Sequence, residues 1–273
     1  MKALFHTTVA ALTLAFSAPA FAQWIDYPTP GIPRLPNGKP NLAAPAPKMS
    51  DGKPDLSGVY DIDSGRLFQN IAADAGAQGL PLQPWAAALA RQREQDNRKD
   101  DPYSHCLPPV VPRINSGNRP FKLLQLPREI VILYETGYIF RQIYTDGRPL
   151  PKDPQPAWLG YSVGKWDGDT LVVDTIGFQD KGWLDGNKGH PHTDAMHVTE
   201  RFRRVNFGRL EIEETIDDPK AYTKPFTVMV PLQSKAEQIF EYACHEGNEG
   251  MFGTLSGHRA TEREAAAKGK GSN

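Results

Sequence analysis

Long apolar runs are almost missing from this chain, and so are cysteines. Beyond Phe21 no stretch approaches the roughly 20 apolar residues that a spanning helix needs, so no membrane span is expected. Charge of one sign is missing too: 31 Lys and Arg stand against 32 Asp and Glu. With that balance and no basic stripe, nucleic acid is not an expected partner. There is no Gly-x-Ser-x-Gly elbow, no Walker loop and no dinucleotide fingerprint. An organic cofactor is therefore not expected.

The one apolar stretch of note lies at the start. Met1–Ala22 reads as a secretory signal, with Lys2, a largely apolar Ala3–Phe16 and the small-x-small site Ala20-Phe21-Ala22. A periplasmic or secreted location follows as an expectation. In such a compartment the two cysteines, Cys106 and Cys244, are expected to form one disulfide. Their neighbours His105 and His245 keep a metal site and a Cys/His nucleophile as alternatives.

Residues 23–54 are Pro-rich and aperiodic, which predicts an extended arm. The arm holds an imperfect repeat, Asn37-Gly38-Lys39-Pro40-Asn41-Leu42 and Asp51-Gly52-Lys53-Pro54-Asp55-Leu56. Asn-Gly and Asp-Gly favour turns, and the following Pro an extended exit. Residues 55–258 are expected to form a single β domain, and 259–273 a disordered tail.

Within the domain, Pro81–Lys99 has helical spacing at Leu82, Trp85, Ala86 and Leu89. Asp100–Pro127 reads as one long loop. Strands are predicted at Leu56–Tyr60, Ile130–Glu135, Tyr138–Thr145, Trp158–Trp166, Asp169–Phe178, Met196–Val205, Arg209–Asp217, Phe226–Leu232 and Gln238–Cys244. Most are joined by tight turns. The fold class is mainly β: an antiparallel meander closing as a lipocalin-like barrel, or a sandwich, with one helix and the N-terminal arm.

Turn chemistry fixes two registers. A three-residue loop Asn206-Phe207-Gly208, with Gly208 left-handed, sets Arg203 opposite Glu211 and Arg201 opposite Glu213 on a wet face. Glu200 then faces Glu214 on the apolar side, where like charges are destabilising. A shared proton, an inward Arg or His, or a metal would resolve that conflict. Such a pair suits acid/base chemistry or a structural Glu–Arg network. The Asp167-Gly168 turn sets Tyr161 opposite Asp174 in apolar company, as a ligand contact or a satisfied core hydrogen bond. Arg141, beside Ile139 and Ile143, is expected to point inward.

The stretch 182–200 gathers His190, His192 and His197 with Asp185, Asp194 and Glu200. A polar loop on a sheet scaffold is where function tends to sit. Its histidines suit proton transfer or a substrate contact, a divalent metal held by His190, His192 and His197, or a purely structural loop.

Several blocks resemble a family of secreted, largely uncharacterised bacterial proteins. They are Thr145-Asp146-Gly147-Arg148-Pro149-Leu150-Pro151, then 160–174 (GYSVGKWDGDTLVVD), 190–202 (HPHTDAMHVTERF) and 216–222 (IDDPKAY). The resemblance covers roughly Asp55 to Cys244 and implies a secreted single-domain protein without assigning a reaction. The Asp55-Leu56-Ser57-Gly58-Val59-Tyr60 start followed by a meander is similar to lipocalin-like barrels at the level of fold.

The leading expectation is a cofactor-independent acid/base enzyme, a lyase, isomerase or hydrolase, acting on a small organic molecule. His192 or His197 would move protons, Asp185 would orient a histidine, and Glu200 with Glu214 would form the carboxylate pair. Tyr161, Asp174, Trp158 and Arg141 would line the pocket. The alternatives are a lipocalin-like carrier, with an apolar lumen, the carboxylate conflict quenched by arginine and the histidines pointing outward, and an envelope protein making contacts through its arm.

Overall fold

The computed structural model describes residues 31–62, 64–117, 119–235, 238–244 and 257–264. The expected signal, 1–22, lies outside them. Two compact units divide the chain, 1–41 and 42–273. The expected arm is thus shared between them: the first copy of the repeat lies in the first unit except for Leu42, and the second copy lies wholly in the second. Both copies take the same local form. Arg34 bridges Pro40 and Lys48 bridges Pro54, with Gly38 at φ +81° and Gly52 at φ +83° inside the turns. Asn37 and Asp51 each accept a hydrogen bond from the amide two residues on.

In the second unit nine strands close into a barrel in chain order. They are β1 Gly58–Ile62, β2 Phe121–Gln125, β3 Glu129–Tyr134, β4 Ile139–Tyr144, β5 Tyr161–Asp167, β6 Thr170–Ile176, β7 His197–Asn206, β8 Arg209–Asp217 and β9 Phe226–Lys235. Lipocalins have eight. Directions alternate around a fully antiparallel ring, so an odd number of strands needs one parallel pair. That pair is β4 and β5, reached through the long connection 145–160, and its ladder holds only Ile143↔Ser162 and Tyr144↔Val163. The barrel therefore has a weak seam.

Two strand expectations change. Phe121–Gln125, read as loop, is β2; its alternation, Phe121 and Leu123 buried with Lys122 exposed, was available in the sequence. Gln238–Cys244 is not a strand, because β9 runs on to Lys235 and closes the ring against β1. Helix α1, Arg66–Gln69, is a single turn, and α2 is Pro84–Gln95, with Pro84 at its first position. Trp85, expected on the packed face, is 45% exposed, while Ala86 and Ala90 are buried. The stretch 257–264 is helical and exposed.

The β7–β8 register is the expected one, including Arg201↔Glu213, Arg203↔Glu211 and Glu200↔Glu214. Its turn differs: Val205 is bulged and Asn206 pairs with Arg209. Gly208 is not left-handed; it is needed for close approach, since a Cβ there would lie 2.5 Å from the Leu42 Cβ. Phe207 and Gly208 donate to Ala44 and Leu42 carbonyls. In the β5–β6 hairpin Asp167 pairs with Thr170, so the loop is Gly168-Asp169 and the register slides by two. Gly168, at φ +58°, takes the first loop position that a II′-type turn reserves for glycine.

Strand directions define two ends. The β2–β3, β5–β6 and β7–β8 hairpins rim one, called here the hairpin end. At the other, the connections 63–120, 177–196 and 218–225 form a plug. The disulfide Cys106–Cys244 is formed, between partners 138 residues apart. Closing so long a loop contributes about 4–5 kcal/mol in the chain-entropy picture. A Cys106→Ala/Cys244→Ala variant is expected to keep its far-ultraviolet β signal while its denaturant midpoint falls by a corresponding amount. An unchanged midpoint would show that the crosslink adds nothing to stability.

Candidate functional site

Inside the barrel the carboxylate conflict is real. Glu200 and Glu214 are both fully buried. Arg141, on β4 at the seam, points inward as expected and grips Glu200 with both terminal nitrogens, Nη1 to Oε1 at 2.8 Å and Nη2 to Oε2. The same guanidinium donates to Ser162 Oγ of β5 at 3.0 and 3.1 Å and to Thr175 Oγ1 of β6 at 2.9 Å. Asn115 completes the arrangement, entering from the plug on a 3-10 turn, Arg113–Ser116. Its Nδ2 donates to Glu200 Oε1 and Glu214 Oε1, each at 2.7 Å, and its Oδ1 accepts from the Tyr134 hydroxyl at 2.7 Å.

Burial, reinforced by the neighbouring Glu200 charge, pushes Glu214 well above the usual carboxylate range; Asn115 and Arg141 offset this only in part. The protonated form of Glu214 is thus favoured, and its Oε2 makes no hydrogen bond among the described residues. Burial alone would lower the Arg141 pKa, but Glu200 outweighs it and raises it. The conflict is relieved by an inward arginine on Glu200 and by a shift that favours the protonated form of Glu214.

Tyr161 and Asp174 depart from expectation. They are not opposite: Tyr161 pairs with Ile176 and Asp174 with Val163, all on the outer face. The inner face carries Ser162, Gly164 and Trp166 with Leu171, Val173 and Thr175. Counting apolar residues misassigned it, because the inward polar pair Ser162 and Thr175 serves Arg141. On the outside, Asp174 Oδ1 accepts from Thr199 Oγ1 and meets His197 Nε2, each at 2.9 Å. Trp158 precedes β5 and packs on the core.

The histidine loop is largely interior, not a polar surface loop. Asp185, fully buried, accepts from the amides of Ile71, Lys188 and His190 and bonds His190 Nδ1. It does orient a histidine, and that histidine is His190, not His192 or His197. Burial would raise the Asp185 pKa, but the bonds and charge of His190 together with the amides hold it below the usual range. Gly186 and Asn187 donate to Phe68 and Gln69 carbonyls, so the loop is laced onto α1.

His192 is 3% exposed, and burial lowers its pKa and keeps it neutral. Its Nδ1 meets the Thr193 carbonyl at 3.2 Å, and Nε2 has no partner among the described residues, at a place where a Cβ on Gly182 would come within 2.7 Å. His190, His192 and His197 are held apart in separate roles. Among the described residues no group of three His, Cys, Asp or Glu could hold a metal ion.

A concave site lies instead at the hairpin end. The inward-facing Gln125, Ile130, Thr145 and Trp166 of β2 to β5 meet the turn Met49–Lys53 around a pocket of about 230 Å³. Lys53 Nζ lies 5.6 Å from the Trp166 ring centre. Arg204 fastens the turn's exit by donating to the Asp55 and Ser57 carbonyls. Nothing in the loop chemistry pointed here; alternation along β5, had its face been assigned correctly, would have turned Trp166 inward. Comparison of the chain with protein-family models, curated proteins and solved structures returns no match.

The raised Glu214 value has a sign. Stability from its retained proton is complete below the ordinary value of 4.5 and is lost as pH rises through the folded value. Glu214→Gln should abolish that decline, so the wild-type deficit relative to it grows by about 1.4 kcal/mol per pH unit within the window. Arg141→Met, which strands Glu200, should cost about 3–5 kcal/mol. Urea unfolding across pH checks both, and parallel pH profiles for wild type and Glu214→Gln would contradict the assignment.

Proposed function

We propose that this protein is a secreted small-molecule-binding barrel whose ligand sits at the hairpin end, against Trp166. The observation that carries the reading is the pocket formed by Gln125, Ile130, Thr145 and Trp166 under the Met49–Lys53 turn. Barrel mouths are frequent ligand sites. A cavity of about 150 Å³ accepts benzene, so about 230 Å³ suits a single-ring or small bicyclic molecule. Ile130 and Trp166 supply apolar walls, while Gln125, Thr145 and Lys53 supply a polar side. The ligand class is therefore a small aromatic or alicyclic compound with one polar end. Secretion is supported by the disulfide, which belongs to an oxidising compartment. The arginine on the carboxylate pair is what the carrier alternative required; a further requirement, outward-pointing histidines, is not met by the buried His190 and His192.

Acid/base catalysis remains a second reading on one observation, the half-exposed Asp174–His197 pair on the outer face. A hydrogen bond donated by a histidine to a carboxylate such as Asp174 is how general bases are oriented. This pair lies on the convex side of the sheet, away from the mouth, so binding and catalysis separate by mutation.

The test is a screen of small ring compounds by native mass spectrometry, followed by calorimetry. We expect saturable binding that Thr145→Phe, which fills the pocket, removes while leaving the unfolding midpoint within about 1–3 kcal/mol of wild type. Binding that survives Thr145→Phe would place the ligand elsewhere. Turnover of any screened compound that falls by about 10²–10⁴ in His197→Ala would replace the carrier with the enzyme.

A further inference from the structure

At the plugged end, away from the mouth, a second pocket of about 250 Å³ lies between the C-terminal part of α2 and Trp183. Its floor is the buried Trp183 indole, over which the Arg93 guanidinium lies 4.4 Å from the ring centre. Arg93 Nη1 donates to the Gly189 carbonyl at 2.7 Å. That is the one hydrogen bond its guanidinium makes among the described residues, out of five N–H donors. It is half-buried, and among the described residues no carboxylate lies within ion-pair distance.

The two nearest buried acids are already engaged. Asp101 is held by Arg113 through two bonds of 2.8 Å, and Asp185 is held by His190. Burial draws Arg93 down to about 10 against the pull of these acids, so it stays charged at physiological pH without a counter-ion of its own. Leaving a partly desolvated charge unpaired is costly.

Two further cations join it. After α2, Asn97 at φ +55° and Arg98 at φ +57° are consecutive non-glycine residues in the left-handed region. This turn, pinned by the Arg98 amide donating to the Arg93 carbonyl, brings Arg98 and Lys99 into the pocket lining. Asp96 and Asp100 also line it, but both are exposed, and neither pairs with the three cations.

We propose that this pocket is an oxyanion site, taking the carboxylate of a small organic acid on the Arg93 fork. Arginine presents planar paired donors that match a carboxylate, and charge-assisted bonds of this kind are the strong ones. The volume exceeds what the oxyanion alone needs, and Leu89 with Trp183 provides an apolar wall for the rest of the molecule. A compact apolar body attached to the carboxylate fits both features. The site is independent of the mouth pocket.

The test uses the whole mature protein with its disulfide intact and follows the Trp183 indole N–H by NMR during titration with benzoate and acetate at low salt. Benzoate is expected to bind saturably and more tightly than acetate. Arg93→Lys keeps the charge and the stem over Trp183 but loses the fork, and should weaken benzoate binding about tenfold or more. Arg98→Gln/Lys99→Gln, at positions outside the core, should weaken it several-fold. Thr145→Phe, at the other end, should leave it unchanged and so keeps this site distinct from the mouth. No saturable shift with benzoate, equal affinity in Arg93→Lys, or acetate binding as tightly as benzoate would overturn the proposal.

Discussion

The grip of Arg141 on Glu200 is the contact on which the barrel depends. Nine strands cannot close without a parallel pair, and the β4–β5 ladder is only two residue pairs long. Where that ladder ends, one guanidinium reaches β5 through Ser162, β6 through Thr175 and β7 through Glu200. A side chain thus supplies across the seam the cohesion that backbone bonds supply elsewhere. Such a buried ion pair need not add net stability over an apolar core, because desolvation offsets the attraction. Its satisfied geometry ties four strands to one arrangement, and losing one partner strands the other.

The same arrangement engages both carboxyls inside the barrel. Asn115 enters from the plug and spends both amide hydrogens on Glu200 and Glu214. Both inner carboxyls are thereby hydrogen-bonded, Glu200 is paired with Arg141, and the protonated form of Glu214 is favoured. Two pockets lie at the ends: an apolar-walled one under the Met49–Lys53 turn, and a cationic one beside Trp183. The histidine loop seals the plugged end. Asp185 there accepts three amides and one imidazole, the coordination of a structural hub.

Much of this was legible in the residues, unevenly. Counting back from the Asn206-Phe207-Gly208 turn reached the β7–β8 register, and with it the Glu200–Glu214 encounter, because the bulge at Val205 offsets the shorter turn. The same logic failed on β5–β6, where Ser162 and Thr175 are polar yet inward. Their partner, Arg141, lies some 20 or more residues earlier in the chain, beyond local pattern. Phe121–Gln125 carried an alternation hidden among prolines. The histidine loop was misjudged because polarity was taken for exposure. Its burial comes from amides of Gly186 and Asn187 meeting carbonyls of Phe68 and Gln69, a contact that no spacing encodes.

The most direct measurement is a carbon-13 NMR titration of the side-chain carboxyls, with Glu214→Gln used to assign the signal. A Glu214 carboxyl that stays protonated at neutral pH, while exposed glutamates titrate normally, is what the quenched core predicts. A Glu214 signal titrating near 4.5 would contradict it, and would reopen the barrel interior as a pair of ionised carboxylates available for chemistry.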